Sequence, residues 1–153
     1  MKKIFKRIIK MGFTEYLPTS FKREIVNWLK FLRGEKSIKE IQLSRLPRFT
    51  PGSTNLIKPN IEYVDSASLL SAYREIFKKG IYDFKCDGNP RIIDCGVNIG
   101  LATIYWKRKF PDAEIIGFEP DPEIFRVLKR NIRKQDYSGV SLYQKVFISE
   151  MIH

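Results

Sequence analysis

A chain of 153 residues, 43% of them hydrophobic, is long and apolar enough for one packed core, which excludes wholesale disorder. Its formal charge of +11 is uneven: residues 1–60 hold fourteen Lys and Arg against four Asp and Glu, a balance of +10, whereas residues 61–153 hold fourteen against thirteen. No apolar run approaches the ~20 residues of a membrane-spanning helix, and Lys6, Arg7 and Lys10 interrupt any signal-peptide core. In chain order, Ile4, Phe5, Ile8 and Ile9 stand at helical spacing with Lys and Arg between them. This predicts a short basic helix over residues 1–13, of the kind that lies on an anionic membrane or docks on its own domain. Pro18-Thr19-Ser20 supplies a stop and a cap. Phe21, Ile25, Val26, Trp28, Leu29 and Leu32 then form a second helical stripe, expected to be a packing face and closed by Gly34. Residues 34–60, with Pro47, Pro51, Gly52 and Pro59, read as a linker with one short strand.

A third helix is predicted from Val64 to Lys79. Asp65 or Ser66 caps it, Leu69, Leu70, Tyr73, Ile76 and Phe77 form its apolar stripe, and Gly80 ends it. Asp87-Gly88-Asn89-Pro90 is a turn. Then comes Arg91-Ile92-Ile93-Asp94-Cys95-Gly96-Val97-Asn98-Ile99-Gly100, an apolar strand running into an acid, two glycines four apart and a helix, Leu101 to Phe110. Gly96 can take a positive φ at the reversal, and Gly100 has no Cβ to hold the first helical turn away from its neighbours. A second strand, Glu114–Phe118, ends in Glu119. Asp121 and Pro122 start the next helix, which buries Ile124, Phe125, Leu128 and Ile132 and runs to about Lys134. A third strand is expected from Val140 to Ile148. The order β-α-β-α-β gives an α/β fold with parallel strands and right-handed crossovers.

The site follows from this arrangement. Open α/β sheets bind ligands outside the carboxyl ends of their strands, where Asp94 stands, and an acid ending the second strand is placed for ribose hydroxyls. A nicotinamide dinucleotide calls for G-x-G-x-x-G. Here Asn98 replaces the middle glycine, which argues against a pyrophosphate cofactor. The run Ile92–Tyr105, followed by Phe110-Pro111-Asp112 and Phe118-Glu119-Pro120-Asp121-Pro122, resembles the FkbM family of S-adenosylmethionine-dependent methyltransferases, most specifically from Arg91 to Asn131. The resemblance is looser over Pro51–Lys85 and does not cover the first fifty residues. It implies an incomplete Rossmann-like methyltransferase domain over residues 61–153, preceded by a basic helical region and linker over residues 1–60. It also implies S-adenosylmethionine as cofactor. Asp94 would meet the amino group, the Gly96–Gly100 backbone the methionine part and sugar, and Glu119 the ribose; Asn98 would bind the cofactor or hold the loop.

The same resemblance implies O-methylation of a sugar or related hydroxyl, with a small molecule or glycan as acceptor. It assigns no catalytic residue, because the acceptor and base residues of that family lie in later strands. Its seven-stranded sheet, ordered 3-2-1-4-5-7-6, is represented here by three strands. The strand of Asp94 is therefore expected to be an open edge, and the chain a truncated form impaired alone. Cys86 and Cys95 show no metal or redox spacing and are expected to be reduced thiols of a cytoplasmic protein, with Cys95 packed under the loop, in preference to a disulfide between the two. The lone histidine, His153, makes histidine catalysis improbable. The Lys and Arg runs on the later helices read as solvated faces, and no nucleic-acid partner is expected. The rival reading is a non-catalytic basic adaptor that meets an anionic membrane or partner, as a peripheral contact, through residues 1–34.

Overall fold

The computed structural model describes residues 18–34 and 36–146. The helix expected over residues 1–13, His153 and the end of the strand expected to reach Ile148 lie outside them. Two compact units divide between Gln42 and Leu43. Helix α1 spans Thr19–Leu32 in the first, and α2, Ile38–Leu43, runs up to the division. Phe21, Val26, Trp28 and Leu32 of α1 are exposed, so most of the stripe expected to pack stands open. The buried residue of α1 is Asn27, whose Oδ1 accepts from Lys36 Nζ at 2.9 Å. A reciprocal cap starts α2: Ser37 N–H donates to Glu40 Oε2 and Glu40 N–H to Ser37 Oγ.

The second unit holds the sheet. Its first element is the one short strand expected within residues 34–60, here paired with a second strand that was not expected. Gly52–Thr54 (β1) and Ile61–Tyr63 (β2) pair antiparallel, and Ile61 is fully buried. Helix α3, Ser66–Tyr73, starts at Asp65, whose carboxylate accepts from Ser68 N–H and Oγ–H, as expected of a cap. The helix then widens into a π-helical turn, Arg74–Lys78, in which Lys79 N–H reaches back five residues to the Arg74 carbonyl. Gly80, at φ +64°, ends it.

Strand β3 (Arg91–Cys95), helix α4 (Leu101–Lys109), strand β4 (Glu114–Phe118), helix α5 (Pro122–Gln135) and strand β5 (Val140–Tyr143) complete the unit. The three strands are parallel, in the order β3-β4-β5, with Asp94 beside Gly117 and Ile116 beside Ser141. This is the α/β arrangement expected, with β3 at one edge. The core between sheet and helices contains Leu69, Ile104, Ile115 and Leu128, each almost fully enclosed. Pleating decides which strand residues join it. Ile92 and Asp94 of β3 are partly covered, whereas Ile93 (62% exposed) and Cys95 face solvent. Cys95 is therefore not packed under the loop, which corrects the sequence expectation: it has the opposite parity to the acid before it. Both cysteines are free and exposed.

Candidate cofactor site

The loop after β3 is built by its own backbone. Gly96 sits at φ +121°, Asn98 at φ +54° and Gly100 at φ +94°. The two glycines do different work. A Cβ on Gly96 would meet nothing within 4 Å, so only its backbone angle calls for glycine. A Cβ on Gly100 would lie 2.9 Å from Leu128 Cδ1 and 3.1 Å from Ile132 Cδ1, so the close approach it permits is to helix α5.

Every backbone N–H from Gly96 to Gly100 is engaged within the protein. Gly96 and Val97 both donate to the Phe118 carbonyl, at 2.9 and 3.0 Å. Asn98 donates to Glu119 Oε2 at 2.9 Å, Ile99 to Asn98 Oδ1 at 2.7 Å and Gly100 to the Val97 carbonyl at 3.0 Å. A phosphate bound at such a turn needs free N–H groups. Here they are used, which adds to the missing middle glycine against a pyrophosphate ligand.

What the site offers instead is an acceptor. Asp94 is half-buried at the end of β3, and its Oδ2 is sealed from solvent with no hydrogen-bond partner. Burial, and second the negative charge of Glu119, push its carboxyl up to about 6. A buried unpaired acceptor is costly and is met by a ligand donor or cation. The residue itself lines a cavity of about 160 Å³ between the loop and α3, walled by Ser68, Ala72, Ile76 and Tyr82 opposite Gly96–Ile99.

Glu119 is 6% exposed and does not line that cavity. Its Oε2 accepts from Asn98 N–H and its Oε1 from Asp121 N–H, so it ties the first loop to the second. Of the residues expected at the site, Asp94, Gly96 and Asn98 line the cavity, whereas Gly100 lies against α5 and Glu119 supports the loop from behind it. Asn98 holds the loop, through Oδ1 and a left-handed backbone. The resemblance implies that the helix predicted over Val64–Lys79 helps cover the cofactor cleft, and Ser68, Ala72 and Ile76 do line the cavity; Tyr82, beyond that helix, was not singled out. Among the described residues there is no cluster of His, Cys, Asp and Glu able to hold a metal ion, and no helix is long and apolar enough to cross a membrane.

No family model matches the chain. It is 47% identical over 74 residues to "Methyltransferase sdnD" of Sordaria araneosa, covering 47% of this chain and 29% of that protein. To "Methyltransferase 1" of Beauveria bassiana (strain ARSEF 2860) it is 40% identical over 73 residues, again 47% of this chain and 29% of that one. Among solved structures it is similar to the precorrin-6y C5,15-methyltransferase of Geobacter metallireducens GS-15, with a TM-score of 0.42 and 17% identity over 46% of this chain and 38% of that one. The matched stretch thus spans under a third of the curated relatives. The FkbM assignment, and with it sugar or related hydroxyl O-methylation of FkbM type, is corrected. The related sequences are named as methyltransferases with no FkbM designation, and what stands is a likeness to methyltransferases in general. The physical reason is that the motif contains what a cofactor loop of this general kind requires; it does not encode the acceptor.

Proposed function

We propose that this chain carries the cofactor-binding strands of a class I methyltransferase and binds S-adenosylmethionine at the loop after β3. The observation that carries the reading is the polarity of the loop: its N–H groups are used internally, and Asp94 presents an unpaired buried acceptor. That suits a cationic ligand without phosphate. When bound, the cofactor supplies a methyl group on a sulfonium, already activated for transfer. Asp94 would accept from its ammonium end and answer its charge. Glu119 uses two of its lone pairs on backbone N–H groups and keeps others for sugar hydroxyls. Ile76 and Ala72 exclude water from the opposite wall. The related proteins named methyltransferases support the same reading.

Isothermal titration of the 153-residue chain tests it, with S-adenosylmethionine, S-adenosylhomocysteine and NAD as titrants. Binding of the first two, weakened at least ~10-fold by Asp94→Ala, is the expected result. A chain that binds NAD more tightly, or that folds and binds neither sulfur compound, overturns the assignment.

A further inference from the structure

Asn131 lies on the core-facing side of α5, and its side chain is fully enclosed. An enclosed amide is tolerated only when its polar atoms are met. Oδ1 accepts from Glu62 N–H at 2.7 Å, and Nδ2 donates to the Glu62 carbonyl at 2.9 Å and to the Ile99 carbonyl at 2.9 Å. The pair of bonds to Glu62 is what a neighbouring peptide unit would give, so the side chain extends the β1–β2 hairpin. Arg130 and Lys134 of the same helix hold the Glu62 carboxylate from outside, at 2.7 Å each. The third bond reaches the loop. Ile99 stands between Asn98 and Gly100, both at positive φ. A peptide flanked in this way belongs to no helix or strand ladder, and Asn131 is its long-range anchor.

We infer that Asn131 is a positioning residue for the cofactor loop: through one amide it ties the Ile99 peptide to helix α5 and to the β1–β2 hairpin. The inference rests on the reading of that loop as the cofactor loop. It also explains why Gly100 can lie against Leu128 and Ile132, since Asn131 pulls its peptide onto the same helix face.

The test compares two variants of the full chain by hydrogen exchange without ligand. Asn131→Asp keeps the size of the side chain and its acceptor toward Glu62 N–H, but turns the donor against two carbonyls. Lys107→Met removes a buried donor at the far end of α4, where Nζ binds the Pro111 and Ala113 carbonyls. Both lower the melting temperature. Only Asn131→Asp is expected to speed exchange of the Asn98, Ile99 and Gly100 amides, by roughly tenfold or more, and to weaken S-adenosylhomocysteine binding. If both variants speed those amides alike, in proportion to lost stability, Asn131 is a core residue only and the inference is overturned. Should Asn131→Asp not fold, the wild-type chain decides. In low denaturant the amides of Glu62 and Gly100 must open together, and separate opening overturns the tie. A wild-type chain that binds no S-adenosylhomocysteine refutes the cofactor reading, and the exchange rates still decide whether Asn131 holds the loop.

Discussion

Asp94→Asn is the most direct perturbation of the site. The Asp94 carboxyl is raised from an ordinary 3.8 to about 6, first by burial and then by the charge of Glu119. The folded value lies above the unfolded one. The group therefore costs nothing below about pH 4, and stability is lost between about pH 4 and pH 6, where the unfolded chain ionises first. At about 1.4 kcal/mol per tenfold, the interval from 3.8 to about 6 amounts to about 3 kcal/mol above that window. Solvent screening at a half-buried side chain reduces this to about 1–2 kcal/mol. Asparagine is isosteric and uncharged. Asp94→Asn is expected to stabilise the chain by about 1–2 kcal/mol at pH 7.5 and hardly at all at pH 4.

The other acid in the cavity wall does not confuse the reading. Burial alone would raise Asp65, but hydrogen bonds from Ser68, from Phe49 N–H and from Arg48 outweigh it and hold the carboxyl well below the usual range. Urea unfolding of both proteins from pH 4 to pH 8 is the assay. A variant no more stable than wild type at pH 7.5 refutes the reasoning, since the fold would then show no preference for the uncharged group. Binding should move the other way. Wild-type affinity for S-adenosylmethionine should fall as the pH drops through about 6, and Asp94→Asn should lose it at every pH.

Gly100→Ala combines a positive φ with a Cβ crowding Leu128 and Ile132, and should cost about 2–4 kcal/mol in urea unfolding. Gly96→Ala, with nothing near its Cβ, should cost only the backbone share, about 1–2 kcal/mol; equal costs would show that α5 yields to the methyl group. Asp121→Ala removes the acceptor for Glu123 N–H and Ile124 N–H at the start of α5 and should cost about 1 kcal/mol in the same assay. Asp65→Asn should flatten the acid limb of the stability profile. The depressed carboxyl contributes stability above its unfolded pKa that is lost as the pH falls below it, and thermal melts from pH 2 to pH 5 read the slope directly.

The α/β core was legible because its signals agree. Strand β4 matched its expected bounds, and α4 and α5 differ by a residue at their ends. Local chemistry fixes these ends: Asp121 and Pro122 begin α5, and glycines flank the loop. The hairpin at residues 52–63 was hidden because its strands have three residues each and lie among prolines, where periodicity has no room to show. Helix α2 did carry a signature, Ser37-Ile38-Lys39-Glu40, whose reciprocal cap is present. Cys95 was misplaced because an apolar strand reads as buried on both faces, whereas this one is covered on one. The acid of Glu119 could be seen at the end of its strand. That both its oxygens accept backbone N–H groups could not, because those donors come from a loop about twenty residues earlier and from the turn just after it.

The π-helical turn at Arg74–Lys78 has a consequence for how such a cavity can change. A turn of this kind holds one residue more than an α turn in the same helix, the form an insertion takes when the helix absorbs it. Deleting one residue there would let α3 run on as a regular helix while the residues on either side keep their faces. Tyr82, beyond the turn, would keep its carbonyl on the Trp106 indole N–H, accepted at 3.1 Å, and only the turn's own part of the cavity wall, Ile76, would be reset. This single turn is thus a place where the wall facing the loop after β3 can gain or lose a residue without disturbing the rest of the helix.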